Sequence, residues 1–555
     1  MRGRKTLLSV ALATTLCSGA LIAAGGRPSI NPGELKEWLT YLASDELEGR
    51  AVYSEGLGLA AGYIQTHLQQ WGITPRGDDR GYLQVVRVQG IKTTSRSTVT
   101  VRVGRETRTF KDGDGITFPK NVGSKRTIVI DRVEFAGYGL DAPGANYSDL
   151  AGKDYRNAGV VFLGTAGPQA IDADTGRRVL GGRGRWLTDQ LKASAAIGPA
   201  PAALPTPPAD TQRPQAGARP EPDFTTTQRL DQPIAPSVTA NDTLLQFLFS
   251  KAPTKYDELK KKADAREPLK GFRLDDVLLT FHLDADYEVV RTQLTQNVVA
   301  IIEGSDPQLK STYVALGAHY DHVGYADAEL TSDSKRPRAP GRVTPGAESD
   351  RIWNGADDDG SGTVALMAIA HAFAEGPRPK RSLLFVWHAG EERGLLGSRY
   401  YADHPTIPME QIVAQLNIDM IGRNRDDKPT EANTVYLVGS DRISSELHDI
   451  NRAANRAIDQ PLTLDYEMND PADPEQVYFR SDHYSYAAKG IPIIFFTTGL
   501  HADYHANTDE VSKIEFPKMT RVAQLVYETA WRLGNLDHAP VRDNKGPRAG
   551  RGTRE

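Results

Sequence analysis

From Gln296 onward five near-continuous apolar runs recur between stretches of helical spacing: Asn297 to Ile302, Thr312 to Ala318, Ser382 to Trp387, Ile412 to Ile418 and Ile491 to Thr497. A strand apolar on both faces cannot leave one face in water. It needs cover above and below, and the intervening helical patterns supply it, so these runs predict an α/β domain with a mostly parallel twisted sheet and helices on both faces. Open sheets of that kind bind ligands beyond the carboxyl ends of their strands. The residues just after each run are therefore the ones to read for chemistry.

Those residues are nearly all metal-ligand types. The run ending at Ala318 delivers His319-Tyr320-Asp321-His322, and the run ending at Trp387 delivers His388-Ala389-Gly390-Glu391-Glu392. The run through Ile418 delivers Asp419, and the last leads to His501, Asp503, Tyr504 and His505. Between the first two, Gly355-Ala356-Asp357-Asp358-Asp359-Gly360-Ser361-Gly362 runs into the apolar segment Val364 to Phe373, placing carboxylates at a helix mouth. An acidic run alone is usually solvated and a lone strand-end histidine is usually structural; convergence of several on one sheet edge points to a metal site. The acidic residues are contiguous and do not alternate as a calcium loop requires. The chain has neither a His-Glu-x-x-His helix nor a Gly-x-Ser-x-Gly elbow, so single-zinc helix proteases and serine hydrolases lose support. Imidazole with carboxylate suits zinc, with cobalt or manganese as substitutes.

At 555 residues the chain is too long for one core and predicts at least two domains. Asn31-Pro32 with Leu35, Trp38, Leu39 and Leu42 starts a helix, and Ala60, Tyr63, Ile64, Leu68 and Trp71 form a second apolar stripe that stops at Gly72. Short β-rich runs such as Val99 to Val103, Thr127 to Ile130 and Val160 to Leu163 mark a different region. We divide the chain into α/β parts at 30–115 and 291–535, with a β-rich insert at 116–290 between them. A Pro-rich loop at 198–236 and a polar, disordered tail at 536–555 complete the division. Lys260 to Lys262 reads as a solvated helix face.

Met1-Arg2-Gly3-Arg4-Lys5 followed by an apolar run to Ala24 reads as a signal peptide over 1–25, implying a secreted or periplasmic protein with no stable membrane insertion after cleavage. The run is interrupted by Thr14, Thr15, Ser18 and Gly19, which disfavours a membrane anchor. The single cysteine, Cys17, lies in that segment, so the remaining chain has no disulfide, no thiolate ligand and no cysteine nucleophile. A formal charge of -5 provides no basic field for nucleic acid.

The stretches GAHYDHVG, NGADDDGSG, HAGEERGLLGS, NIDMIGR and DYHANTDE, in this order, resemble the zinc aminopeptidase and glutamate carboxypeptidase family. The likeness covers 297–535, with SDELEGR at 44–50 similar to the family's N-terminal part. FAGYGLDAP at 135–143 is similar to the protease-associated domain that many members insert. The resemblance implies two zinc ions: His319 and Asp419 on one, Glu392 and His505 on the other, and Asp358 bridging. It makes Glu391 the general base, Tyr504 the stabiliser of the tetrahedral intermediate, and Asp321 the residue orienting His319. Asp482 and Met420 fall where the family contacts substrate. Two dications against three ligand carboxylates leave one positive charge, which favours a bridging hydroxide at neutral pH. The implied function is a secreted exopeptidase acting on peptides, with the Asp419-Met420 pair closer to the aminopeptidase branch. A carboxypeptidase of the same family, an acyltransferase of the glutaminyl cyclase type and a non-catalytic binding protein are the alternatives. The insert would either limit substrate size or bind a partner.

Overall fold

The computed structural model describes residues 22–23, 27–28, 30–142, 147–171, 180, 182–199, 224–327, 339–470, 473, 475–544, 546 and 552–555. Nearly all of the expected signal peptide and most of the Pro-rich stretch 198–236 lie outside them. The N-terminal helix α1 (Pro32–Leu42) begins where the sequence pattern places it: Asn31 Oδ1 accepts from the Gly33 amide at 2.8 Å, and Leu35, Trp38, Leu39 and Leu42 form the buried stripe. Such a cap contributes about 1 kcal/mol. Helix α2 (Glu55–Gln70) is capped by Ser54 and buries Ala60, Ile64 and Leu68. The segment between them, Asp45–Arg50, makes 3-10 turns broken by a kink where Glu48 and Gly49 take positive φ.

The larger α/β unit is organised by a ten-stranded sheet. Its principal strands are β1 (Leu83–Ser95), β2 (Ala285–Ile302), β3 (Tyr313–His319), β4 (Ser382–His388), β5 (Ile412–Ile418), β6 (Thr434–Val438) and β7 (Ile493–Thr497). Across the sheet the order is β1, β2, β4, β3, β5, β7, β6, with short strands at both edges. The centre is parallel, β4 to β3 to β5 to β7, and the flanks are antiparallel, β2 on β4 and β6 on β7. Every residue of β3, β4 and β5 is buried, because helices cover both faces. On one face α1, α2, α3 (Gly362–Glu375) and α4 (Phe516–Asn535) enclose the largest core cluster; Tyr401, Ile407 and Tyr486 belong to the core on the other. Each fully buried Leu, Val or Ile there contributes about 1.5–3 kcal/mol.

The second ten-stranded sheet belongs to the insert, and it starts earlier than the expected boundary at 116. Thr98–Val103 and Glu106–Asp112 are strands of the second sheet, not of the first. The reason is the β1–β2 ribbon: Ala285 pairs with Ser95 at one end and Val298 with Leu83 at the other, so chain leaves and re-enters the α/β unit along one antiparallel pair. Alternation along Thr98–Val103 places Val99, Val101 and Val103 in the insert's own core with Leu279 and Phe281. The insert also touches the α/β unit laterally. Trp186 meets Phe479 edge to face at 4.9 Å, and Arg229 pairs with Asp403.

The described part of the 536–555 tail packs instead of hanging free, contrary to the expectation of disorder. Arg554 donates to Asp465, whose side chain is 3% exposed, and Glu555 exchanges backbone hydrogen bonds with Leu464. A basic residue facing a buried carboxylate supplies the ordering that the tail's composition lacks. Among the described residues no helix is long and apolar enough to cross a membrane.

Candidate metal centre

The carboxyl ends of β3, β4 and β5 and the loop after β7 converge on one point of the sheet edge. His319 is the last residue of β3, Glu391 and Glu392 follow β4, Asp419 follows β5, and Tyr504 and His505 lie beyond β7. Asp358 reaches the same point from the turn Ala356–Ser361 that precedes α3. The chain enters α3 close against β5: a Cβ on Gly362 would lie 2.6 Å from the Ile418 carbonyl oxygen and 2.4 Å from Asp359 Oδ1. Glycine there lets the helix start approach the strand end.

The three contiguous aspartates divide their work. Asp357 accepts the Gly422 amide at 2.6 Å and faces His501 Nε2 at 3.2 Å. Asp359 accepts the amides of Gly362 (2.9 Å), Met420 (3.1 Å) and His319 (3.2 Å). Oδ1 of Asp357 and both oxygens of Asp359 are thus spent on tying the turn to β3 and to the segment after β5. Asp358 alone points into the cluster. Its Oδ1 is 3.4 Å from His319 Nε2, and its Oδ2 is 3.2 Å from His505 Nε2. Asp419 Oδ1 lies 3.6 Å from His319 Nε2, and Glu392 Oε2 lies 3.0 Å from His505 Nε2.

These separations suit a bound cation. Bonds of about 2.0–2.1 Å in a tetrahedral site place neighbouring ligand atoms roughly 3.3–3.4 Å apart. The donor chemistry agrees. Asp358 Oδ2, Glu392 Oε1 and both ring nitrogens of His322 are buried without a hydrogen-bond partner, and each such unpaired group costs roughly 1–3 kcal/mol. Carboxylates cannot satisfy one another, whereas a dication satisfies several at once. Among the described residues two groups of ligand-type atoms lie close enough to hold an ion, His319/Asp358/Asp419 and His322/Asp358/Glu392, sharing Asp358.

The surplus of negative charge is visible in the titration of its neighbours. Burial lowers the His505 pKa, but the Asp358 and Glu392 carboxylates outweigh it and raise the imidazole to about 10. Burial, reinforced by the carboxylates of Glu392 and Asp419, pushes Glu391 well above the usual carboxylate range. Tyr504 is raised first by burial and then by Asp358, and its ring stacks on His505 at 4.0 Å. Its hydroxyl oxygen accepts from Arg480 Nη2 at 3.1 Å, leaving the phenolic proton free to donate.

The structure brings His319, Asp358, Glu392, Asp419 and His505 together, with Glu391 and Tyr504 beside them. Three of the contacts expected for the surrounding residues differ in detail, and each has a physical reason. His319 Nδ1 donates to the main-chain carbonyl of Asp321 at 3.1 Å; the Asp321 carboxylate stands off at 3.7 Å and accepts the Glu391 amide instead. Asp482, read as a substrate contact, is wholly buried with Oδ2 3.5 Å from His388 Nδ1, and burial raises it to about 7. Met420, also read as a substrate contact, is 4% exposed with φ 56°; its carbonyl accepts from Thr498, so its backbone braces the site.

Sequence reasoning missed Arg50 and Arg480. Arg50 is fully buried and donates to the carbonyls of Tyr320 (3.0 Å), Asn354 (2.7 Å), Gly355 (2.9 Å) and Leu42. It thereby clamps the loops that carry His319 and Asp358 to the N-terminal helices. Its signal was the SDELEGR stretch, whose last residue it is. Nothing local marks Arg480, which acts on a tyrosine 24 residues away.

Residues 297–530 match the family model described as Peptidase family M28. A probable leucine aminopeptidase of Arthroderma otae is 27% identical over 256 residues, 44% of this chain and 58% of its own. Aminopeptidase Y of Saccharomyces cerevisiae is 24% identical over 287 residues, 49% of this chain and 44% of its own. Among solved structures, an aminopeptidase from Aneurinibacillus sp. strain AM-1 aligns at 18% identity with a TM-score of 0.42, covering 93% of this chain and 96% of its own. The match thus spans about 58% of the Arthroderma relative.

Proposed function

We propose that this chain, whose residues 297–530 form a peptidase family M28 module, is a secreted or periplasmic two-zinc aminopeptidase that releases N-terminal residues from peptides. The observation that carries the reading is Asp358, a buried carboxylate whose two oxygens face different histidines, His319 at 3.4 Å and His505 at 3.2 Å. A carboxylate so placed suits a bridge between two cations. His319 and Asp419 would hold one, Glu392 and His505 the other. Bound there, the pair supplies Lewis acidity toward a carbonyl and acidifies water near neutral pH.

The remaining work falls to the chain's own side chains. The Glu391 carboxylate takes a proton from the attacking water and returns it to the leaving amine nitrogen as the peptide bond breaks. The Tyr504 hydroxyl donates to the carbonyl oxygen as negative charge develops on it, and Arg480 holds that hydroxyl in place. The Asp321 carbonyl fixes the His319 tautomer with Nε2 toward the cluster. The cluster reaches solvent at His505, whose side chain is 33% exposed while those of His319 and Asp358 are 1% and 4%. Action at the amino end is supported by the activity for which the leucine aminopeptidase relatives are named. The insert abuts the segment that carries Arg480 through Trp186 and Phe479, which supports a limit on substrate size; unchanged turnover of long and short peptides after its deletion would remove that idea.

The test is a pair of peptides identical except for an N-acetyl group. Release of the first residue from the free peptide alone, abolished by chelation and restored by zinc, is expected. Release of C-terminal residues from the blocked peptide would overturn the aminopeptidase reading in favour of a carboxypeptidase.

A further inference from the structure

Five metal-facing residues leave one ligand-type side chain at the cluster without a task. His322 follows β3 by three residues, and its backbone amide donates to the Arg50 carbonyl at 3.2 Å. The ring is wedged against Gly355, where an added Cβ would come within 2.5 Å of it. The side chain is 0% exposed, with Nδ1 3.0 Å from Glu392 Oε1 and 3.9 Å from Asp358 Oδ2.

Other buried histidines of this fold show what a packing role looks like. His388 Nε2 hydrogen-bonds the Tyr486 hydroxyl at 3.0 Å, and His483 Nε2 hydrogen-bonds the Tyr478 carbonyl at 2.8 Å. Each thus satisfies one ring nitrogen on a neutral oxygen. Neither nitrogen of His322 has such a partner. The oxygens within reach of Nδ1 are those of two carboxylates that face the cation position, at separations that fit atoms sharing one ion.

We propose that His322 is itself a metal ligand, a further protein donor through Nδ1 at the position defined by Asp358, Glu392 and His505. The inference rests on the two-metal reading above and deepens it. The two positions are then unequal. His319, Asp419 and the shared Asp358 give one position three protein donors; His322, His505, Glu392 and Asp358 give the other four. The position with four protein donors would hold its ion more tightly than the position with three.

The experiment is zinc K-edge X-ray absorption on the full wild-type chain loaded with zinc, together with competition by a chromophoric chelator for the wild type, His322→Ala and His322→Gln. Three imidazoles over two ions give an average of about 1.5 per zinc, and two give about 1.0. With His322 bound, the count is near 1.5 and both variants release one zinc more than ~100-fold more readily, beyond the 10–100-fold typical of a residue that only orients a ligand. Glutamine keeps an N–H that can still donate to Glu392. A count near 1.0 with tight zinc retained in His322→Gln would overturn the proposal and make His322 a residue that orients Glu392. A wild-type chain that takes up no zinc would overturn the two-metal reading first. The absorption measurement needs no variant, so a misfolded substitution cannot obscure the answer.

Discussion

Arg50 offers the sharpest test of how the N-terminal segment builds the site. Replacing it with methionine keeps most of the buried volume and removes a guanidinium that donates to four carbonyl oxygens. Of these, the Gly355 oxygen also accepts the Gly360 amide at 3.2 Å. The oxygens of Leu42, Asn354 and Tyr320 lose their guanidinium donor inside the core, at roughly 1–3 kcal/mol each. The substitution also removes a buried cation whose field reaches Asp321, Asp509, Asp359 and Asp358. Relief of the guanidinium's own desolvation offsets part of this, and the net loss for breaking such a buried charge network is about 3–5 kcal/mol. At about 2–4 °C per kcal/mol, the α/β unit should melt roughly 6–20 °C lower. Arg50→Lys should not rescue it, because one ammonium has three donors and no planar fork. Calorimetry of metal-free and zinc-loaded protein reads the effect, and the zinc-loaded form should also lose affinity as the His319 and Asp358 loops loosen. A Tm within about 2 °C of wild type, with unchanged zinc retention, would show that the clamp contributes little and refute the reasoning.

Glu391→Gln should lower kcat by about 10²–10⁴-fold while leaving zinc content unchanged, since its role is proton transfer; steady-state kinetics with elemental analysis checks both. Tyr504→Phe should lower kcat by roughly 10²–10³-fold with little change in KM, as expected for a donor used in the transition state. Lys518 is 2% exposed and donates to Asn424 Oδ1 and to the Glu431 carbonyl; burial lowers it to about 8, against an opposing pull from Asp357, Glu431 and Glu515 and with Arg521 adding to the shift. Its folded pKa lies below the unfolded one, so the unfolded chain binds more protons between about pH 8 and 10.5, and this residue makes stability rise with pH across that window. The wild-type minus Lys518→Met stability difference should therefore grow by roughly 3 kcal/mol from pH 8 to pH 10.5 in chemical denaturation, and a flat difference would contradict the assignment.

Much of the fold was legible because the central strands are buried on both faces. Runs such as Ser382 to Trp387 can belong only to a covered sheet, and β4 occupies that run with one more residue, His388. The site was legible for the same reason, since strand ends are where side chains can leave the sheet. Contiguous Asp357, Asp358 and Asp359 could not be told apart in sequence, because amides as distant as Gly422, Met420 and His319 decide which carboxylate is free. The insert boundary escaped because β1 alternates as readily as the insert strands that follow it, and only its pairing with β2 assigns it to the first sheet. Arg50 and Arg480 escaped because their partners are carbonyls and a hydroxyl remote in sequence, which leave no pattern in the chain around them.

The most direct test of the central claim is the number of zinc ions retained per chain after loading and exhaustive removal of free metal. About two are expected, with Asp358→Asn retaining fewer than either Asp419→Asn or Glu392→Gln because both positions share that carboxylate. A single tightly held ion, or none, in the wild-type chain would contradict a two-metal centre.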